Sequence, residues 1–98
     1  MLPIRVTANA SLQIEEAADW WASNRLSALR AFREDLRQAF DLISYQPGIG
    51  AVAENVALKG VHRVYLERVS HFVYYRVRTD RVEILAVWHA NRGEGPQL

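Results

Sequence analysis

The spacing of hydrophobic residues along the chain changes near residue 60. Before that point, apolar residues recur mostly every three or four positions, which is the period of an amphipathic helix. From Val61 onward, apolar residues alternate with polar ones or form short runs rich in Val, Ile, Tyr and Phe, a pattern typical of strands. The sequence therefore predicts a mainly helical first part and a strand-rich second part.

Two helices are predicted after a short strand over residues 3–8. Asn9 and Ser11 are candidate caps for the first helix, which should end near residues 24–26. Ser27 is the candidate cap for the second helix, which has the clearest periodicity in the chain. Its apolar positions are Leu29, Phe32, Leu36, Ala39 or Phe40, and Ile43. Pro47 and the two glycines after it end this helix and begin a loop that runs to about residue 60.

Three strands are predicted over residues 61–69, 71–78 and 81–90, with a turn at Thr79 and Asp80 between the last two. The last strand should be central, because the segment from Val82 to Trp88 has only one charged residue. The side of the middle strand that carries Val73 should pack on the helices. The other side should stay partly bare and offer a contact surface formed by Phe72, Tyr74, Arg76 and Arg78.

The predicted order is strand, helix, helix and three strands. This order indicates an α+β fold in which a helical hairpin packs on a small, mainly antiparallel sheet. With 98 residues, the chain is expected to form a single domain over residues 1–98.

Charge and composition narrow the function classes. The chain has 12 basic and 11 acidic residues, and all of the basic residues except Lys59 are arginine. Residues 60–98 have 6 basic and 4 acidic residues, so the predicted sheet leans positive. The chain has no cysteine, which excludes disulfides and thiolate metal sites. No apolar run is long enough for a membrane span and no signal peptide is visible, so a cytoplasmic protein without membrane contact is expected.

Several segments together resemble the ParE branch of the RelE/ParE toxin superfamily. The segments are residues 45–50 (YQPGIG), 61–66 (VHRVYL), 71–77 (HFVYYRV) and 82–92 (VEILAVWHANR). They occur in the family's order and extend the resemblance from about Ile4 to Arg92. The last strand of these proteins commonly runs into a basic tail, as it does here at His89 and Arg92.

The resemblance implies a toxin of a type II toxin–antitoxin system. Such a toxin would inhibit DNA gyrase by binding the enzyme with its DNA, without cofactor or catalysis, and would be neutralised by a cognate antitoxin. It could also serve plasmid stabilisation. The resemblance leaves open whether the toxin forms a homodimer or a toxin–antitoxin heterotetramer.

Two alternatives stay open at this point. The RelE branch cleaves messenger RNA on the ribosome, and a nuclease of this kind could use His89 as acid or base with Arg63 and Arg76 around the phosphate. The tail after His89 has no tyrosine and the strands have no lysine, which disfavours that chemistry. The other alternative is a degenerate toxin that binds antitoxin without being toxic.

The residues predicted to contact the target or the antitoxin are Trp20, Arg63, Tyr74, Arg76, Arg78, His89 and Arg92. Arg63 could instead form an ion pair with Glu67 or Glu83, and His89 could be a hydrogen-bonded structural residue. His62 and His71 are predicted to be ordinary surface or turn residues. No histidine pair has the short spacing of a zinc site, so no metal is expected.

Overall fold

A five-stranded sheet carries two helices on one face in this computed structural model, which describes residues 1–98. The strands are β1 (Ile4–Val6), β2 (Ala51–Val52), β3 (Val61–Leu66), β4 (His71–Val77) and β5 (Val82–His89). The helices are α1 (Ala8–Asn24) and α2 (Leu26–Tyr45), and a short 3-10 turn (Glu67–Val69) joins β3 to β4. The predicted α+β class and element order are confirmed. The sequence pattern missed β2 and extended the first predicted strand of the meander through the 3-10 turn.

The strand order in the sheet is β1-β5-β4-β3-β2. β1 runs parallel to β5, and the other neighbours are antiparallel. The last strand was predicted to be central; β5 is interior, between β1 and β4, but β4 is the central strand. The low charge of this strand follows from that position, because both of its faces are covered.

The helix starts differ from the predicted caps. Thr7, rather than Asn9 or Ser11, caps α1, because its hydroxyl accepts a hydrogen bond from the Ala10 amide at 3.2 Å. Arg25 is the only residue between α1 and α2, and no side chain caps the start of α2, so the predicted role of Ser27 is wrong. Neither helix combines the length and apolarity that a membrane crossing requires.

The main core lies between the helices and one face of the sheet. Phe32 and Ile43 of α2 are fully buried there against Val73 and Tyr75 of β4 and Ile84 of β5. The periodicity of α2 and the assignment of the Val73 side of β4 to the helices are therefore both confirmed. We call this side of the sheet the helix face and the opposite side the outer face.

The outer face is not bare, which corrects the prediction from the sequence. A second apolar cluster covers it, in which Tyr74 and Ala86 are buried beneath residues of the loop after β2 and the C-terminal tail. The covering residues include Ala53, Val56, Leu58 and Leu98. The amide of Leu58 donates to the carbonyl oxygen of Leu98 at 3.0 Å, which ties the loop and the tail together.

A bulge in β5 changes its register with β4. Val77 lies opposite Val82 and Tyr75 opposite Ile84, but Tyr74 lies opposite Ala86, so Leu85 has no partner across the pair. Such an extra residue bends the strand locally, and here it places both Leu85 and Ala86 on the outer face before the alternation of side chains resumes. The bulge therefore decides which residues at the end of β5 lie on each face.

Candidate functional site

The sheet separates the predicted site residues into two groups. Arg63, Tyr74 and Arg76 project from the outer face, where they lie next to or opposite one another in the β3–β4–β5 register. His89 lies on the helix face, opposite His71. Arg63 and Arg76 therefore do not converge with His89, and the constellation considered for RNA cleavage is not assembled in this structure.

Arg63 lies flat on aromatic rings of the outer face. Its guanidinium carbon is 4.2 Å from the ring centre of Phe72 and 5.9 Å from that of Tyr74. Its Nη1 also donates to the Tyr74 hydroxyl at 3.3 Å. Contacts of a cation with the face of an aromatic ring are worth about 0.5–1 kcal/mol at exposed sites. Arg63 forms neither of the ion pairs considered from the sequence, so its charge is not neutralised by Glu67 or Glu83.

Tyr74 anchors the loop after β2, which covers the outer face and is called the covering loop below. Its side chain is buried, and its hydroxyl accepts hydrogen bonds from Arg63 and from Nδ2 of Asn55 at 3.0 Å. We call Arg63, Phe72, Tyr74 and Asn55 the arginine–aromatic cluster. Of its members, Tyr74 has almost no surface left for a partner.

Arg76 and Arg78 differ in their availability. Arg76 forms a salt bridge with Glu83 at 3.1 Å, and Arg81 contacts the other oxygen of the same carboxylate at 3.4 Å. The hydrogen bond from Arg76 and the charge of Arg81 lower the pKa of Glu83. Arg78 follows β4, is exposed and has no acidic partner. Arg78 is therefore the freer cation of the two.

A cleft of about 390 Å³ lies on the helix face, between α1 and the ends of β4 and β5. Three of its residues were predicted from the sequence as contact residues: Trp20, His89 and Arg92. Trp21 also lines the cleft and packs against the main core, whereas Trp20 is 56% exposed. We call this the histidine cleft, because His71 and His89 meet there with ring centres 4.9 Å apart.

Gln13 connects α1 to the floor of the histidine cleft. β1 pairs with β5 only as far as Ile84, and beyond that point the Oε1 atom of Gln13 accepts from the Val87 amide at 2.8 Å. A side chain of α1 thus satisfies a strand donor that has no neighbouring strand. This contact fixes the distance between the helix and the end of β5.

Arg92 reaches the histidine cleft from the segment after β5. Its guanidinium carbon lies 4.1 Å from the ring centre of Trp88, and the indole nitrogen of Trp88 donates to the Glu94 carbonyl at 3.0 Å. These contacts hold the beginning of the tail against the strand. No cluster of three or more potential metal ligands occurs in the structure.

The arrangement can be compared with known proteins. A family model described as "ParE toxin of type II toxin-antitoxin system, parDE" matches residues 4–93. The chain belongs to the ParE toxin family. The resemblance read from the sequence segments is thereby confirmed over nearly the same range.

A solved structure shares the fold of this chain. A chain described as "Chromosomal ParDE TA system from P. aeruginosa" superposes with a TM-score of 0.77 and is 21% identical. The match covers 93% of this chain and 98% of that chain. At this identity the likeness shows a shared fold. No curated protein matches the sequence.

His71 is the residue of this ParE family chain that sequence reasoning misjudged. It was predicted to lie at the surface, but it is 5% exposed and its ring packs edge-on against Phe32 with centres 5.3 Å apart. Burial lowers its pKa, and the nearby His89 adds to this effect. The turn predicted at residues 79 and 80 brings His71 close to the end of β5, but only the bulge places it opposite His89.

Proposed function

We propose that the protein inhibits DNA gyrase by binding it, and that a cognate antitoxin neutralises it. The observation that carries this proposal is the match to the ParE toxin family over residues 4–93. Gyrase as the target and neutralisation by an antitoxin are what the family resemblance implies for this chain.

The charges of the outer face support a role in binding. Arg78 is exposed and unpaired, and Arg63 is held on aromatic rings with its charge unneutralised. Guanidinium groups bind carboxylates and phosphates through two parallel hydrogen bonds, so both residues suit an acidic antitoxin segment or the DNA held by gyrase. Arg76 is the weaker candidate, because its guanidinium already forms a salt bridge with Glu83.

The separation of residues on the sheet argues against the nuclease alternative in the form considered from the sequence. A base and phosphate-binding cations must reach the same phosphodiester within hydrogen-bond distance. His89 and the pair Arg63 and Arg76 lie on opposite faces of the sheet, so they cannot do so without a change of fold.

Purified protein tests the proposed target in two parallel assays. We expect loss of supercoiling by gyrase, with accumulation of cleaved DNA, at concentrations that leave translation of a reporter messenger intact. Intact gyrase activity together with a cut messenger would contradict the proposal. Normal growth of cells that express confirmed folded protein alone would favour the degenerate, non-toxic alternative.

A pair of arginine variants tests the proposed surface. Arg78→Gln should weaken gyrase inhibition, because it removes an unpaired cation from the outer face. Arg33→Gln is the matched control, since Arg33 is an exposed arginine of α2 without an ion pair. Equal inhibition by both variants would exclude Arg78 from the contact. Binding of the product of the adjacent reading frame, measured with the same two variants, tests the antitoxin separately.

A further inference from the structure

The histidine cleft lies on the helix face, on the opposite side of the sheet from the arginines proposed to contact gyrase, and includes the predicted contact residues Trp20, His89 and Arg92. Its volume of about 390 Å³ lies at the small end of the range of about 300–1,000 Å³ that is typical of small-molecule sites. Its lining combines two indoles with a few polar groups at fixed positions. Such a combination is typical of sites that orient a small planar ligand.

The hydrogen bond of His71 fixes which of its ring nitrogens is free. Nδ1 lies 2.7 Å from the carbonyl oxygen of Val69, and a carbonyl oxygen only accepts, so Nδ1 carries the proton. In the neutral ring Nε2 then has a free lone pair. Nε2 has no hydrogen-bond partner within the chain. It keeps some exposed surface, which is open to the cleft that His71 lines.

His89 has the opposite arrangement. Its Nδ1 lies 3.0 Å from the backbone nitrogen of Asn91, and an amide N–H only donates, so Nδ1 carries the lone pair. In the neutral ring Nε2 therefore carries the proton. The two imidazoles thus supply an acceptor from His71 and a donor from His89, on rings that stand edge to face at 85° with their centres 4.9 Å apart.

Further donors and the aromatic walls limit the kind of ligand. Since Oε1 of Gln13 is engaged with Val87, its amide nitrogen remains as a donor at the cleft. Trp20 and Trp21 stand nearly perpendicular, with ring centres 4.8 Å apart and planes at 84°, and so form a two-sided aromatic wall. The lining contains one group of each charge, Arg92, which is held on the ring of Trp88, and Glu16 of α1.

We propose that the histidine cleft binds a single nucleobase, whose polar edge pairs with His71 and His89 and whose ring stacks on the tryptophan wall. The Watson–Crick edge of each unpaired base offers a donor next to an acceptor, which complements one acceptor and one donor from the two imidazoles. Single bases are commonly held by such edge contacts together with aromatic stacking. Arg92 would contact the attached phosphate. The base could belong to a free nucleotide or to an unpaired position of a nucleic-acid strand.

Histidine ring spectra of the full chain test this proposal directly. The ring nitrogens would be followed by long-range proton–nitrogen NMR, at a pH at which the imidazoles are neutral, during titration with the four nucleoside 5′-monophosphates. We expect saturable shifts of Nε2 in His71 and His89 with at least one nucleotide, and no shift of His62, which lies outside the cleft. Absence of saturable shifts with all four would overturn the proposal.

Variants locate the site and check its ligand. Trp20→Ala, at an exposed position, should weaken binding roughly 5- to 150-fold, the range expected for loss of one base-stacking contact. His89→Phe should also weaken it, whereas the matched control His62→Phe should not. Unchanged binding in both cleft variants, with native spectra, would overturn the location. Equally tight binding of N-acetylglutamine amide would overturn the nucleobase as the ligand class.

A third titration distinguishes a free nucleotide from an unpaired base in a nucleic-acid strand as the source of the base. A single-stranded oligonucleotide that binds much more tightly than the mononucleotides would indicate an unpaired base in a strand. Equal or weaker binding of the oligonucleotide would indicate a free nucleotide. Both outcomes support the cleft as a base site, and neither depends on gyrase being the target.

Discussion

Replacement of Gly50 by alanine should destabilise the protein through a clash that the structure locates. A Cβ atom at this position would lie 2.7 Å from the hydroxyl oxygen of Tyr75, 2.8 Å from one of its ring carbons and 2.9 Å from the carbonyl oxygen of Arg63. Tyr75 is fully buried, and the Arg63 carbonyl belongs to β3. Neither neighbour can therefore move aside freely.

The expected magnitude follows from three contributions. Overpacking of a well-packed site costs about 1–3 kcal/mol. A shift of the loop would also lengthen the hydrogen bond from the Gly50 amide to the Tyr75 hydroxyl, now 2.8 Å, and the bond from that hydroxyl to the Pro47 carbonyl, now 2.7 Å. A net hydrogen bond is worth about 1 kcal/mol. The lower entropy of the unfolded alanine variant offsets about 0.4–1 kcal/mol. Together these contributions lower the free energy of unfolding of Gly50→Ala by roughly 2 kcal/mol.

Gly48→Ala is the matched control in the same turn. A Cβ atom there would have no neighbour within 4 Å, and Gly48 does not have a positive φ. This variant should be as stable as the parent or slightly more stable, by about 0.4–1 kcal/mol.

Thermal and urea unfolding of the two glycine variants measure the effect. For a domain of this size, 1 kcal/mol corresponds to a shift of the melting temperature of about 4–8 °C. Gly50→Ala should therefore melt roughly 8–16 °C below the parent. In a Tyr75→Phe background the penalty should be smaller, because the nearest clashing atom is gone. Equal stabilities of Gly50→Ala and Gly48→Ala would refute the assignment of a tight contact at Gly50.

Two further variants test groups whose roles the structure assigns. The free energy of unfolding should fall as the pH drops below about 6.5, because the unfolded chain takes up a proton at the ordinary histidine pKa while buried His71 has a lowered pKa. Urea unfolding at several pH values should show that His71→Phe reduces this loss of stability. An unchanged loss in His71→Phe would contradict the role of His71. Thr7→Ala should cost about 1 kcal/mol through loss of the α1 cap, whereas Thr7→Ser should retain most of the stability; equal stabilities would contradict the cap.

The sheet keeps two chemically different surfaces apart. The arginine–aromatic cluster lies on the outer face with the covering loop, and the histidine cleft lies on the helix face beside α1. The two surfaces still touch, because His71 precedes Phe72 in β4 and Arg92 lies on the ring of Trp88, which packs on the outer face. The effects of variants on the two surfaces should therefore be compared in double-mutant cycles.

The sequence by itself determined the fold class and the family. The change from helical to alternating periodicity defined α1, α2 and the three long strands, and the low charge of β5 marked it as interior. These features are local, because a pattern of apolar residues requires a particular element whatever it packs against. The family segments added the fold to which these elements belong, which the family match confirmed.

The tertiary structure decided which residues meet. If the register that begins with Val77 opposite Val82 continued unbroken, His71 would lie opposite Trp88. Because Leu85 forms a bulge, His71 instead faces His89, and the histidine cleft exists. The covering of the outer face depends in the same way on contacts between residues far apart in the chain, such as Leu58 and Leu98. Register shifts and long-range closure have no local pattern, since their free energy comes from packing partners that the sequence order does not reveal.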